Sequence, residues 1–381
     1  MLQRLHIHNY KAFQDFEFKP GPEKSSCLLI GKNGSGKSTI GDVFELLKKI
    51  GQFETRTEYL VHRRQLPIFG DAKAPMCFGI DVNLDGQNFF YYLALDLPEP
   101  SKNFRVVEET LTVNDALVFE RKFENITLMR GVTGKSVYSL NKDTVSLPQI
   151  HVVDDDPVAL FRSWLSRIMV IAPIPSVMND GTTTEDKNVI VNPERNVANL
   201  VDWLFDVHTR FPATYASMLE RIKEYIPDLK SFAYEPGRYE KQLVLQFDGS
   251  SRKMPFSVLS DGEKCFFVFA TLLAMAKLVD KTEPKDGLCS PFLCFWDEPD
   301  NYLSVPELET FVRSLRYGFQ PPNQLLITSH SLDTIIKYNN ENTWVISRET
   351  HLESPKIRSL KDVRKDMPGD LATALLMGDL F

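Results

Sequence analysis

Hydrophobic and polar positions alternate from the start of the chain. Leu2, Leu5 and Ile7, then Phe13, Phe16 and Phe18, are separated by polar residues. That period predicts two strands joined by a turn near Lys11. Cys27 to Ile30 is an uninterrupted apolar run, short enough for a buried strand, and Ile40 to Leu47 reads as a helix. Thr55 to Ala74 is charged and irregular, with Arg56, Arg63 and Arg64. Pro75 to Leu97 reads as a hairpin about Asp85-Gly86, a pair that favours a two-residue turn. Arg105 to Val113, Leu117 to Arg121 and Ile126 to Met129 continue as short strands. An antiparallel β-rich block is the expectation, unlike a doubly wound βαβ repeat.

The pattern changes at Asp156. Val158 to Ser166 has helical spacing, and Arg167 to Ala172 reads as a short strand. Pro173 to Arg195 is polar, and a loop of that length in a compact domain tends to be functional or mobile. Val197 to Tyr225 repeats at helical spacing, with Pro212 dividing it into two helices. Phe232 to Phe247 reads as a hairpin around Pro236-Gly237. Cys265 to Val279 is apolar on all sides, which predicts a buried helix. It is too short for a bilayer and is followed by polar residues. A short amphipathic helix is expected over Asp370 to Phe381. No heptad run or internal repeat is present.

Composition changes little in this picture. The 381 residues are 43% hydrophobic and 25% charged, with a formal net charge of −7. The values are ordinary for a globular protein and argue against a generally basic surface, though not against a local basic groove. Cys27, Cys77, Cys265, Cys289 and Cys294 form no C-x-x-C pair and mostly sit in apolar runs. Reduced core cysteines in a cytoplasmic protein are expected. His6, His8, Asn9 and Lys11 interrupt any leader-like apolar stretch, so no signal peptide and no membrane insertion are expected.

The chemistry begins at Gly31-Lys32-Asn33-Gly34-Ser35-Gly36-Lys37-Ser38-Thr39, between the Cys27–Ile30 run and the following helix. Strand, Gly-rich loop and helix at the spacing G-x-x-x-x-G-K-[ST] form a phosphate-binding P-loop. Gly34 and Gly36 let successive amides converge on phosphate oxygens, and the helix adds its positive end. Lys37 is suited to the β- and γ-phosphates, and the Ser38 hydroxyl to Mg²⁺. The apolar run Leu293 to Trp296 ends in Asp297-Glu298-Pro299, a Walker B pattern. There Asp297 suits the Mg²⁺ shell, and Glu298 suits polarisation of an attacking water. Leu325 to Ser329 is another buried run and is followed by His330. Leu259-Ser260-Asp261-Gly262-Glu263-Lys264 precedes the apolar helix.

Four motifs in this order resemble the ATP-binding-cassette ATPases, and within them the RecF/SMC/OLD-like branch. LSDGE is similar to the signature LSGGQ, and CFWDEPDNYLS and ITSHS resemble bacterial predicted ATPases of that branch. The resemblance covers the nucleotide-binding parts and, more loosely, most of the chain. It implies an α/β ABC-ATPase head: a P-loop core sheet with an antiparallel β block and a helical lobe. The corresponding segments are 1–150 with the P-loop and β block, 151–258 as helical lobe, and 259–381 with signature, Walker B, D-loop and H-loop, all one composite domain. It also implies a head-to-tail homodimer with ATP between the P-loop of one subunit and Ser260 and Gly262 of the other. Asp261 replaces the usual glycine. Ser260 with Glu263 also reads as a helix-capping box. His330 would contact the γ-phosphate and orient water. Asp300 to Leu303 falls where the D-loop does. The family's glutamine near Mg²⁺ matches either Gln149 or Gln65.

An ATP-hydrolysing switch follows as the leading function, acting on DNA or controlling a separately encoded effector such as a nuclease, in DNA repair or anti-phage defence. Arg56, Arg63, Arg64, Arg162 and Arg167 are the local basic positions available for DNA. An ATP-bound scaffold with little turnover and a transporter subunit are the alternatives; Glu298 and His330 oppose the first, and LSDGE and the inserted β block oppose the second. About fifty residues follow His330, too few for an appended nuclease domain.

Overall fold

The structure, a computed structural model, describes residues 1–21, 25–69, 74–101, 103–130, 134–151, 156–182, 191–236, 241–280, 291–338 and 342–365. The helix expected over Asp370 to Phe381 lies outside them, as does Cys289. The first strands are β1 (Leu2–Tyr10), β2 (Phe13–Phe18), β3 (Ser26–Ile30), β4 (Met76–Leu84), β5 (Gln87–Asp96) and β6 (Arg105–Val113). They continue as β7 (Ala116–Lys122), β8 (Asn125–Arg130), β9 (Gly134–Ser139), β10 (Met169–Ile171), β11 (Leu229–Glu235) and β12 (Gln242–Phe247). The last are β13 (Lys253–Pro255), β14 (Leu293–Trp296), β15 (Gln324–Ser329), β16 (Thr343–Ser347) and β17 (Lys356–Ser359). The helices are α1 (Lys37–Gly51), α2 (Thr57–Leu60), α3 (Pro157–Ser166), α4 (Leu200–Arg210), α5 (Thr214–Lys223), α6 (Asp261–Ala276), α7 (Val305–Gly318), α8 (Leu332–Lys337) and α9 (Leu360–Lys365).

An eight-stranded antiparallel sheet runs β2-β1-β4-β5-β6-β7-β8-β9. Asp85-Gly86 turns β4 into β5, with Asp85 itself at φ 49°. The six-stranded sheet runs β10-β14-β15-β3-β16-β17; its first five strands are parallel and β17 is antiparallel. β3, β14 and β15 are buried along their whole length, as strands covered on both faces must be. The Phe232–Phe247 hairpin is part of a third sheet, β11-β12-β13; its turn at 237–240 lies outside the described residues.

Side-chain alternation along the parallel strands sends neighbours to opposite cores. Leu28, Ile30, Cys294, Trp296, Leu325 and Ile327 join one cluster, with α4 to α7. Cys27, Leu29, Leu293, Phe295 and Leu326 join the other, with α1, α3 and the antiparallel sheet. The parallel sheet is therefore the middle layer, with the β block on one face and the helical lobe on the other. α6 is buried from Lys264 to Ala276, which explains its lack of a polar stripe. It starts at Asp261 rather than Cys265, because Ser260 and Glu263 form a reciprocal capping box. Among the described residues no helix is long and apolar enough to cross a membrane.

Candidate functional site

The parallel strands end on one edge of the sheet, the edge where open α/β sheets take ligands. β3 ends at Ile30 and gives the P-loop; β14 ends at Trp296 and gives Asp297 and Glu298; β15 ends at Ser329 and gives His330. Long-range pairing thus brings together three of the four motifs.

In the P-loop, Gly36 is the residue before α1 and has φ 104°, a conformation open to glycine at no steric cost. A Cβ there would also lie 2.8 Å from the Phe13 ring. Lys37 is buried, and its ammonium donates to the carbonyls of Gly31 at 2.7 Å and Lys32 at 3.3 Å. It is satisfied by the loop's own carbonyls. Burial pulls its pKa below the ordinary lysine value, against the opposing pull of Glu298 and Asp297. Their charges sit close enough to act on it. The Ser35 hydroxyl is buried with no hydrogen-bond partner among the described residues. A buried polar atom without a partner at a turn of convergent amides fits an absent anionic ligand.

The carboxylates are tied down from β15. The Thr328 hydroxyl donates to Asp297 Oδ1 at 2.6 Å and accepts from the Glu298 amide at 2.9 Å. Glu298 sits at φ 50°, in the left-handed region. Its Oε2 accepts from Asn301 Nδ2 at 2.9 Å, and its Oε1 lies 3.1 Å from His330 Nδ1. Burial raises the Glu298 pKa, but Asn301, His330 and the Lys37 charge outweigh it, and the net value lies below the ordinary glutamate value. Asp300 is buried: its Oδ2 accepts from Ser329 at 2.6 Å and Thr334 at 2.5 Å, while Oδ1 has no partner among the described residues. It is an anchored residue rather than a solvated one.

Ser260 is exposed and bound within its own turn. Its Oγ donates to Glu263 Oε2 at 2.7 Å, its amide donates to the same oxygen at 2.7 Å, and the Glu263 amide returns to Oγ at 3.4 Å. A Cβ at Gly262 would lie 2.8 Å from the Tyr302 carbonyl, so the signature turn is packed directly on the Asp300–Leu303 segment. Gln149 is exposed at the end of a 3₁₀ turn. The Gln65 side chain donates to the Tyr10 hydroxyl at 2.6 Å and accepts from the His62 amide at 2.7 Å.

Further polar side chains at this edge carry no sequence motif. Asp42 on α1 pairs with Lys11 and lies 2.5 Å from Arg195 Nη1. Arg195 Nη2 is 3.9 Å from Asp297 Oδ2. Arg348, just past β16, has its Nη2 3.1 Å from the position of a Cβ on Gly34. With Lys32, Asn33, Ser35 and His351 it lines a cleft of about 180 Å³ beside the P-loop. No motif marks Asp42, which lies one helical turn past Ser38 on α1. The donor set of hydroxyls, carboxylates and a lysine fits a magnesium nucleotide, since hard oxygen ligands suit Mg²⁺. Among the described residues no cluster of three or more His, Cys, Asp or Glu is arranged to hold a metal by itself.

A family model described as "AAA domain, putative AbiEii toxin, Type IV TA system" matches residues 27–337. A second, described as "AAA domain", matches residues 4–47. No curated protein matches the chain. Among solved structures, the SMC head domain from Thermotoga maritima is 14% identical over 94% of this chain and 98% of its own, with a TM-score of 0.46. The SmcHead bound to the C-winged helix domain of ScpA is 15% identical over 96% of this chain and 99% of its own, with a TM-score of 0.53. The second likeness is one of fold.

Proposed function

The chain belongs to the AAA-domain family whose model spans residues 27–337, with the fold of an SMC head, and on that premise we propose that it is an ATP-hydrolysing switch. ATP closes two copies head to tail, and hydrolysis reopens them. The observation that carries this reading is Glu298 Oε1 at 3.1 Å from His330 Nδ1, on the same sheet edge as Lys37. A carboxylate held ionised and oriented by a histidine is what activation of a water requires. A static clamp has no use for the pair.

In this reading Gly31, Asn33, Gly34, Ser35, Gly36, Lys37, Ser38 and Thr39 hold the nucleotide phosphates. Ser38 and Asp297 would hold Mg²⁺, which when bound neutralises phosphate charge. Glu298 takes a proton from the attacking water, and His330 orients it. Ser260 and Gly262 act from the second copy: Ser260 is exposed at the positive end of α6, where a phosphate is favoured. The three segments 1–150, 151–258 and 259–381 act as one composite unit, since the middle sheet takes strands from each.

The output is DNA repair or defence, through DNA itself or a separate effector such as a nuclease. Four of the five arginines are held by other groups, which favours the effector, while Arg64 is exposed. Arg56 pairs with Asp143 at 2.7 Å, and Arg63 donates to the Ser101 carbonyl at 2.9 Å. Arg162 packs on the Phe53 ring, and Arg167 donates to the Pro291 carbonyl at 3.1 Å. Guanidinium groups so engaged offer little to phosphates.

Nucleotide binding and turnover of two variants test the reading. Lys37→Ala should abolish nucleotide binding. Ser260→Arg should leave binding in the monomer but block closure and turnover. Equal loss of binding in both overturns the composite site, and absence of turnover under every condition, with and without DNA, overturns the ATPase.

A further inference from the structure

We propose that Arg195, facing Asp297 Oδ2, competes with Mg²⁺ for that carboxylate. The inference rests on the reading of Asp297 as a magnesium residue and deepens it.

Three observations support it. First, Asp297 divides its oxygens: Oδ1 accepts from Thr328 at 2.6 Å, while Oδ2 faces Arg195 Nη2 at 3.9 Å. The oxygen left by Thr328 is the one the guanidinium approaches. Second, Arg195 Nη1 lies 2.5 Å from Asp42 Oδ1. Asp42 is four residues past Ser38, so the two share one face of α1. The guanidinium therefore bridges carboxylates on the two elements, α1 and the end of β14, that supply the candidate magnesium oxygens. Third, the chain is shaped to deliver Arg195 there. Its carbonyl accepts from the Ala172 amide at 2.6 Å, and the Asp297 amide in turn donates to the neighbouring Ile171 carbonyl at 2.8 Å. Val197, two residues on, is buried at φ 57°, a conformation costly for a β-branched side chain. Such strain persists only where surrounding structure imposes it, and it concentrates at functional sites.

The geometry is suited to exchange. The contact to Asp42 is tight, and the reach to Asp297 is long. A divalent cation on Asp297 repels the guanidinium, which can withdraw Nη2 while keeping Asp42. Magnesium alone must overcome that competition. Magnesium arriving with a nucleotide brings phosphate charge that outweighs it. Arg195 is a positioning residue in this account, and its effect is to make metal binding depend on nucleotide.

Manganese titration of the nucleotide-free full chain, read by electron paramagnetic resonance, tests this without reference to activity. Arg195→Gln should lower the Mn²⁺ dissociation constant about three- to tenfold, the scale of one partly exposed charge at this distance. Arg195→Lys, which keeps the charge, should stay within about twofold of the wild type. Asp42→Asn frees Arg195 to turn fully onto Asp297, and should raise by about threefold the Mg²⁺ needed for half-maximal binding of a fluorescent ADP analogue. Unchanged or weaker Mn²⁺ binding in Arg195→Gln overturns the proposal, as does the same gain in Arg195→Lys. The fluorescent ADP analogue separates the two readings. If the wild type binds it with Mg²⁺ while the Arg195 variants leave metal affinity unmoved, only the Arg195 proposal fails. If the wild type does not bind it, the ATPase reading fails.

Discussion

The Thr328 hydroxyl donates to Asp297 Oδ1 at 2.6 Å, and its own Oγ1 accepts from the Glu298 amide at 2.9 Å. One side chain at the end of β15 thus fixes two consecutive carboxylates at the end of β14. The second of these has φ 50°, which costs a non-glycine residue about 1 kcal/mol or more and persists only where surrounding structure holds it. Thr328→Val keeps the shape and removes both bonds. Turnover should fall by about tenfold or more, since misplaced catalytic groups lose rate steeply, with a stability loss of about 1–3 kcal/mol from the unpaired groups. Nucleotide affinity should change much less than rate. Steady-state ATPase assays, nucleotide titration and thermal melts separate these effects.

Glu298 is held below the ordinary glutamate value despite burial. Its charge contributes to stability above the unfolded carboxylate pKa, and the contribution is lost as pH falls through the lower, folded value. Glu298 should therefore be ionised throughout the neutral range, and the pH–rate profile should show no limb from it above about pH 5. Glu298→Gln should retain nucleotide binding and lower turnover at least about 100-fold. A rate limb near pH 6 to 7 that disappears in Glu298→Gln would contradict the assignment.

Gly262 stands where the signature turn meets the segment after Walker B. A Cβ there would lie 2.8 Å from the Tyr302 carbonyl, and backbone gives way less readily than a side-chain tip. Gly262→Ala should destabilise the protein by about 1–3 kcal/mol, visible as a lower melting temperature. It should also impair turnover more than nucleotide binding by the monomer.

His208 belongs to the helical lobe, away from the sheet edge. It stacks on Phe232, and its Nδ1 lies 3.0 Å from the Tyr234 hydroxyl. Burial pushes its pKa down from 6.5 to about 4. The unfolded chain takes up a proton at a higher pH than the folded one, so stability is full above pH 6.5 and falls as pH drops from 6.5 toward 4. With partial exposure discounted, the loss is on the order of 2 kcal/mol. His208→Gln should melt lower at pH 8 but show a flatter melting temperature between pH 6.5 and 4.

The family and the α/β head were legible in the chain because their signals are local. The Cys27–Ile30 run, the glycine spacing and the apolar runs before Asp297 and His330 each predict an element without reference to any other. Asp85-Gly86 likewise announced its hairpin. What was not legible lies in pairs joined only by folding. Arg195 meets Asp42 from 153 residues away, and nothing near either residue announces it. Arg348 reaches the P-loop because β16 pairs with β3, a partnership the sequence does not encode locally. β9 was missed for another reason: its residues alternate between exposed and half-buried, so it has no apolar face to read. The start of α6 was legible only through its capping box at Ser260 and Glu263, because the apolar run itself begins a turn later, at Cys265.

The placing of β3 between β15 and β16 bears on how the protein is made. Both ladder partners come from residues 324–347, about 300 residues after the P-loop. At ribosomal rates of about 5–20 residues per second, the nascent strand waits roughly 15–60 s for either neighbour. During that time Cys27 to Ile30 is an apolar segment with both edges open, the kind of segment that aggregates or engages chaperones. A chain that stopped after β14 would contain every residue of Gly31 to Thr39 and neither of the strands that pair with β3.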